Sequence, residues 1–390
     1  MTGAANGTFS FKAGEKIIVA FVHQTGVDFS TTVLYTTKTE LEPLNGVTCK
    51  EATGTKTLNG TVAGVTAGDA ASITMGNSST FVLSPSTTYQ LTQVPTGAVD
   101  LVAQREIFGS SSITPNRVIV RRALNLTGTI PVLDFAATEA LAPASNTATV
   151  GGLVSGETNI LDVVFRTNTG TSHELSFTQG FSSGSQTIYG IPSTLTAAGD
   201  FHGVVLEADA SNGTAGRGII TWNRNPGDRT LTLGATLSAP SVTIAGSTPY
   251  VRLHATLPKQ DEYNTLVSFF FTQTSGGGGV ARDWSLNATV GYFGGIAPAT
   301  WDVTMPDLSG VAGFPSAGIQ TGQSYSADAE ASNARPELFF DAGSTAPTEG
   351  ETLKFAFRTI TVATSQASVA GRATRHGMRS PFSGMRLGSR

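Results

Sequence analysis

No stretch of this chain carries an apolar stripe at helical spacing over a dozen positions. Its apolar residues come instead in short alternating runs, rich in β-branched and aromatic side chains and closed by Gly, Pro, Asn, Asp or Ser. Residues 16–23, 31–37, 79–83, 88–94, 99–105, 117–121, 161–166 and 174–178 read this way, as do 203–207, 218–222, 230–233, 266–272 and 353–362. Alternation at a period of two marks a half-buried strand, and the closing residues supply turn geometry. Many short strands with frequent turn signals belong to sandwiches or barrels, so the chain is expected to be all-β. Residues 134–142 alone have the spacing of a short helix.

The strands repeat. Tyr89-Gln90-Leu91-Thr92-Gln93-Val94-Pro95 has a counterpart in Gln186-Thr187-Ile188-Tyr189-Gly190-Ile191-Pro192, and an apolar strand follows each. Arg117–Arg122 then matches 217–224, residues 129–133 match 230–233, and Leu141-Ala142-Pro143 matches Leu237-Ser238-Ala239-Pro240. Pro95 and Pro192, like Pro143 and Pro240, lie 97 residues apart. A third, divergent copy is expected around Thr300-Trp301-Asp302-Val303-Thr304-Met305-Pro306, with later strands at 337–340 and 352–361. A unit of this length suits an immunoglobulin-like or transthyretin-like β-sandwich. The expected domains are residues 1–146 (N-terminal strands plus the first sandwich), 147–248, 249–371, and a tail over 372–390.

The segment Tyr89-Gln90-Leu91-Thr92-Gln93-Val94-Pro95-Thr96-Gly97-Ala98-Val99-Asp100-Leu101-Val102-Ala103 resembles the closing strands of carboxypeptidase-regulatory-like and transthyretin-like sandwich repeats of bacterial secreted or surface proteins. These modules carry an aromatic-apolar strand, a V-P-x-G turn and an apolar strand. The resemblance covers residues 57–106. It implies a spacer or binding module and carries no functional residues with it. The second copy has Ile191-Pro192-Ser193-Thr194, without the glycine.

Composition narrows the function. Charged residues make up 13% of the chain, against about 25% in an ordinary soluble domain. A net charge of −4 argues against a nucleic-acid partner. The single cysteine, Cys49, can make no intrachain disulfide. No apolar run is long enough for a transmembrane helix. Residues 1–6 show neither the basic nor the apolar part of a secretory signal; the protein is then either intracellular or an extracellular or cell-surface protein in mature or trimmed form, and the composition favours the second.

Candidate chemistry is sparse. Gly180-Phe181-Ser182-Ser183-Gly184 matches the hydrolase nucleophile pattern, but a strand follows it where the elbow needs a helix. His23, His173, His202, His254 and His376 show no metal-ligand spacing. Asp209 with Asn212, and Asp328 with Glu330, are the densest oxygen clusters, without the ladder of a calcium loop. Asp261, Glu262, Asp302 and Asp307 show no spacing that would pair them as glycosidase carboxylates. Gly276–Gly279 reads as a hairpin tip, and the five Asn-x-Ser/Thr matches are what a Ser/Thr-rich chain offers by chance. No catalytic residue, cofactor or metal is expected.

Three residue sets remain. Trp222, Trp284, Tyr292 and Trp301 are candidates to stack on a sugar ring, the alternative being core packing. Ile17, Val19 and Phe21, on a strand in surplus of the first unit, are candidates to complete a neighbour's sheet edge. Arg372, Arg375, Arg379, Arg386 and Arg390, in a tail without acids, are candidates to dock on an acidic neighbour. The expected function is a non-enzymatic structural or adhesive protein that self-assembles into a filament or surface layer. The alternatives are a carbohydrate-binding surface protein and a virion or phage structural protein.

Overall fold

The computed structural model describes residues 16–41, 54–274, 279–311, 314–336 and 346–360 of the 390-residue chain. Strands predominate. A hairpin comes first, β1 (Lys16–Thr25) and β2 (Asp28–Thr37), followed by α1 (Lys38–Leu41), a single turn. Unit one runs β3 (Thr55–Ala63), β4 (Asp69–Met75), β5 (Ser78–Leu83), β6 (Thr88–Pro95), β7 (Val99–Phe108), β8 (Ser112–Leu124) and β9 (Leu133–Asp134). Unit two runs β10 (Ala144–Gly151), β11 (Glu157–Arg166), β12 (Ser172–Gln179), β13 (Gly184–Gly190), β14 (Phe201–Ala210), β15 (Ala215–Asn223) and β16 (Arg229–Thr232). Unit three contains β17 (Ser241–Gly246), β18 (Arg252–Pro258), β19 (Leu266–Thr274), β20 (Ala281–Thr289), β21 (Thr300–Thr304), β22 (Ser326–Ser332) and β23 (Thr352–Ile360).

Each unit is a two-layer sandwich, and units one and two share one plan. In unit one β5-β4-β7-β8 lie side by side, with β6-β3-β9 as the opposing layer; in unit two the layers are β12-β11-β14-β15 and β13-β10-β16. The second, third, fifth and sixth strands therefore share a sheet, and the first, fourth and seventh form the other, with the first and seventh parallel. An immunoglobulin sandwich groups its strands differently. Unit three keeps β20-β19-β22-β23, but β17, antiparallel to β18, takes the place of the seventh strand. The third unit thus begins before residue 249, since Leu237 already packs in its core.

The large layers of all three units join into one fourteen-stranded sheet, in the order β1-β2-β20-β19-β22-β23-β15-β14-β11-β12-β8-β7-β4-β5. Units one and two meet through β8 and β12 at only two residue pairs, Ile113 with Phe177 and Ser112 with Thr178. Packing supplies the rest of that junction. Val102 and Val118 alternate with Leu101 and Ile119 of unit one's own core, and so point the other way, into the core of unit two. Around them Arg122 bonds Asp100 at 2.9 Å and Asp200 at 2.6 Å, and buried His173 sits 2.9 Å from Thr74 Oγ1. Burial holds the His173 imidazole neutral, with its pKa lowered to about 3. Units two and three join through seven pairs of β15 with β23.

Two further expectations are corrected. The hairpin of β1 and β2 was grouped with the first sandwich, yet β2 pairs in parallel with β20 of unit three. Residues 134–142 are not helical: β9 ends at Asp134 and turns follow, from which Phe135 and Ala140 drop into unit one's core. The fifth strand of unit three is β22, at Ser326–Ser332; the segment 337–340, expected as one of that unit's later strands, lies outside the described residues.

Candidate functional site

The hairpin is built onto unit three by side chains on both faces of β2. Val33 and Tyr35 enter the third core, and the Tyr35 ring meets Tyr292 edge-on at 5.4 Å. The Tyr35 hydroxyl donates to the Thr304 carbonyl. On the other face, Ser285 Oγ lies 3.2 Å from Thr32 Oγ1. At the start of the paired stretch the Ala281 N–H donates to Asp28 Oδ1 at 2.8 Å.

Glu40, on α1, closes the seat. Its carboxylate accepts from the Thr36 hydroxyl, from the Thr37 N–H and hydroxyl, from the Thr289 hydroxyl at 2.6 Å and from the Gly291 N–H at 3.0 Å. Charge-assisted bonds of this kind are stronger than neutral ones. A Cβ at Gly291 would lie 2.3 Å from Glu40 Oε2, so a side chain there would displace the carboxylate from this position. The clasp joins residues some 250 positions apart in the chain.

Docking β2 leaves β1 as one edge of the sheet and β5 as the other. Among the described residues twelve large apolar side chains stand exposed, and eight of them cluster at these two ends. Ile18, Phe21, Val22 and Val27 belong to the hairpin. Phe81 and Leu83 lie on β5 and Ile107 and Phe108 at the nearby end of β7, with the Phe81 and Phe108 rings in edge contact at 5.8 Å. An edge strand shows unpaired N–H and C=O groups, and monomeric proteins usually blunt it with charge, proline or a bulge. β5 (Ser78–Leu83) contains no charge and no proline. The one lysine of β1, Lys16, lies over the Tyr292 ring at 5.4 Å, on the side of its own chain. Among the described residues both ends are therefore open to another strand.

The ring-stacking candidates fall elsewhere. Trp222, Trp284 and Trp301 are all buried, at 1%, 1% and 0% exposure. Trp222 lies across Gly203, where a Cβ would come within 2.7 Å of its ring. Trp284 donates its indole N–H to the Ala317 carbonyl, and Trp301 packs edge-on against Phe293 at 5.3 Å. Tyr292 is half-buried between Tyr35 and Phe293. No tryptophan face is left for a ligand, and the core alternative holds for all three. Of the edge candidates, Ile17 is buried, Val19 half-buried and Phe21 exposed. The five tail arginines lie outside the described residues.

Most of the exposed polar candidates have local partners. Asp302 sits 2.8 Å from His254 Nε2, and His254 Nδ1 is 3.3 Å from the Thr243 hydroxyl. This row has the order of a hydroxyl–imidazole–carboxylate relay, but it lies across an open sheet face of unit three. Asp261 pairs with Lys259, Asp307 lies 3.7 Å from Arg252, and Glu262 accepts from the Ala235 N–H. Asn212 closes its own turn by accepting from the Thr214 N–H. Among the described residues no three of His, Cys, Asp and Glu come together as metal ligands. Sequence reading missed Glu40 and the β5 end, although the uncharged run Phe81-Val82-Leu83 was available as a signal.

No family model and no curated protein matches this chain. Among solved structures, a tetra-tandem repeat in the extending region of a large adhesion protein is similar at 14% identity, over 79% of this chain and 75% of that one. The TM-score is 0.14, too low to carry an argument about this protein.

Proposed function

We propose that this protein is a non-enzymatic structural element, outside the cell or on its surface, that assembles from copies of itself through the ends of its sheet. One observation carries the reading. A single fourteen-stranded sheet ends in two edge strands, β1 and β5, and most of the exposed large apolar side chains gather there. Two such edges on one molecule are different surfaces, so their contact is heterologous, and it stays open wherever the rotation between copies does not return to the start as a ring. Repetition of the open contact gives a filament.

The test is the oligomeric state of the full chain, by analytical ultracentrifugation and negative-stain electron microscopy. The unaltered protein is expected to form extended particles. Val22→Lys and Phe81→Lys each place a charge on an edge strand and are expected to leave monomers with unchanged far-ultraviolet circular dichroism. A protein that stays monomeric at every concentration tried, or variants that assemble as well as the parent, would overturn the reading.

A further inference from the structure

We infer that the hairpin β1–β2 with its Glu40 clasp is an exchangeable element: the hairpin of one copy docks on the third unit of the next, in the seat seen here. This rests on the end-to-end reading above and names the element that links the copies. The seat is one-sided. In sequence the hairpin precedes unit one, yet the contacts that anchor it reach residues 281–304 of unit three: Asp28 to Ala281, Thr32 to Ser285, Tyr35 to Tyr292 and Thr304, and Glu40 to Thr289 and Gly291. The core that receives Val33 and Tyr35 is otherwise made of residues from 237 onward. A hairpin supplied by another copy meets the same partners, so exchange sacrifices none of these contacts. Trading an identical element between copies is a low-cost route to assembly.

The connection points the same way. Thirteen residues, 42–54, separate α1 from β3. Fully extended, such a segment reaches about 46–50 Å. Counted along the sheet, β2 and the β7–β4 pair of unit one are ten to eleven strand positions apart, about 48–53 Å at the usual strand spacing. Docking on the same chain depends on the fold between units one and two to shorten that path. Docking on a neighbour whose third unit abuts unit one needs no such shortening. It also sets the exposed side chains of β1 (Ile18, Phe21 and Val22) beside Phe81 and Leu83 of β5, so the two apolar ends cover each other. The contact is heterologous, and each copy both gives a hairpin and receives one.

Thr32 and Ser285 are directly paired across β2 and β20, with hydroxyl oxygens 3.2 Å apart, so cysteines at these positions can report the docking. The probe is the full chain carrying Cys49→Ser with Thr32→Cys and Ser285→Cys, oxidised under assembling conditions and run on a non-reducing denaturing gel. Exchange predicts a ladder at multiples of 40.2 kDa holding most of the protein. A mixture of two chains, one with only Thr32→Cys and the other with only Ser285→Cys, should yield a cross-linked dimer. An exclusively intrachain cross-link, or none, would overturn the exchange. If the parent still forms filaments in the microscope in that case, end-to-end assembly stands and only the exchange falls. If the parent is monomeric, both fall.

Discussion

Glu330 sits where a carboxylate is costly. Its neighbours on β22, Ala329 and Ala331, face the core of unit three, so Glu330 points to the opposite face of the sheet. There its Oε1 has no hydrogen-bond partner and Glu207 lies near enough to repel it. Burial first, and that repulsion second, raise its pKa from the usual 4.5 to about 8. Between those values the folded chain holds a proton that the unfolded chain has released. Stability therefore falls as pH rises from the unfolded pKa through the folded one, and is level above it. Glu330→Gln removes this slope. Urea denaturation midpoints at about pH 7 and about pH 9, above the pKa of the buried histidines in either state, should show the variant less sensitive to pH than the parent, and more stable than it at the higher pH. A parent whose midpoint does not fall over that range contradicts the assignment. His173 works in the opposite sense. It is buried neutral at the junction of units one and two, and its contribution is present above its unfolded pKa of 6.5 and lost as pH falls toward about 3.

At the scale of elements, the hairpin is held by its clasp more than by its own turn. An isolated two-stranded hairpin is marginal in water, and β1 buries little beyond Ile17. Glu40→Ala leaves the donors of Thr36, Thr37, Thr289 and Gly291 without their shared acceptor. The expected loss is roughly 2–3 kcal/mol of docking free energy, the order of hydrogen bonds to a charged group. Hydrogen exchange should show β1 and β2 amides opening faster while those of β10 and β13 keep their protection; equal protection throughout would show that the clasp is not what holds the hairpin. The sequence shows the hairpin as two strands but not where it goes. Parallel pairing of β2 with a strand some 250 residues away leaves no local pattern, whereas antiparallel neighbours such as β14 and β15 advertise themselves by a short turn. β22 was hidden for a different reason. Its inward residues are Ala327, Ala329 and Ala331, small side chains beside the rings of Phe269 and Phe271 on the paired strand β19. A strand can be fully buried and still look polar when its neighbours supply the bulk. The repeat was legible because equivalent turns recur with the same prolines, Pro95 and Pro192. The apolar spacing of Phe135 and Ala140 resembled a helix only because both reach the core from consecutive turns.

Two features of the whole molecule bear on the proposed self-association, and they answer differently to salt. One is the pair of apolar sheet ends. The other is the sequence of residues 372–390, with five arginines and no acid; its +5 and the chain's net −4 put −9 on residues 1–371. Attraction between a basic segment and an acidic body is screened once charges lie more than a Debye length apart, about 10 Å at 0.1 M salt and about 3 Å at 1 M. Strand pairing with burial of Ile18, Val22, Phe81 and Leu83 is driven by the removal of apolar surface from water, which salt does not screen and which weakens on cooling. With only 13% charged residues in the chain, the apolar ends should dominate. Raising sodium chloride from about 0.05 M to about 0.5 M should leave the size distribution in the ultracentrifuge unchanged or shifted upward, and cooling at constant salt should shift it down. Deleting residues 372–390 should then matter little, while Val22→Lys abolishes assembly. The reverse pattern, dissolution by salt with loss on truncation, would place the contact between the arginines and the acidic body and leave the sheet edges as bystanders.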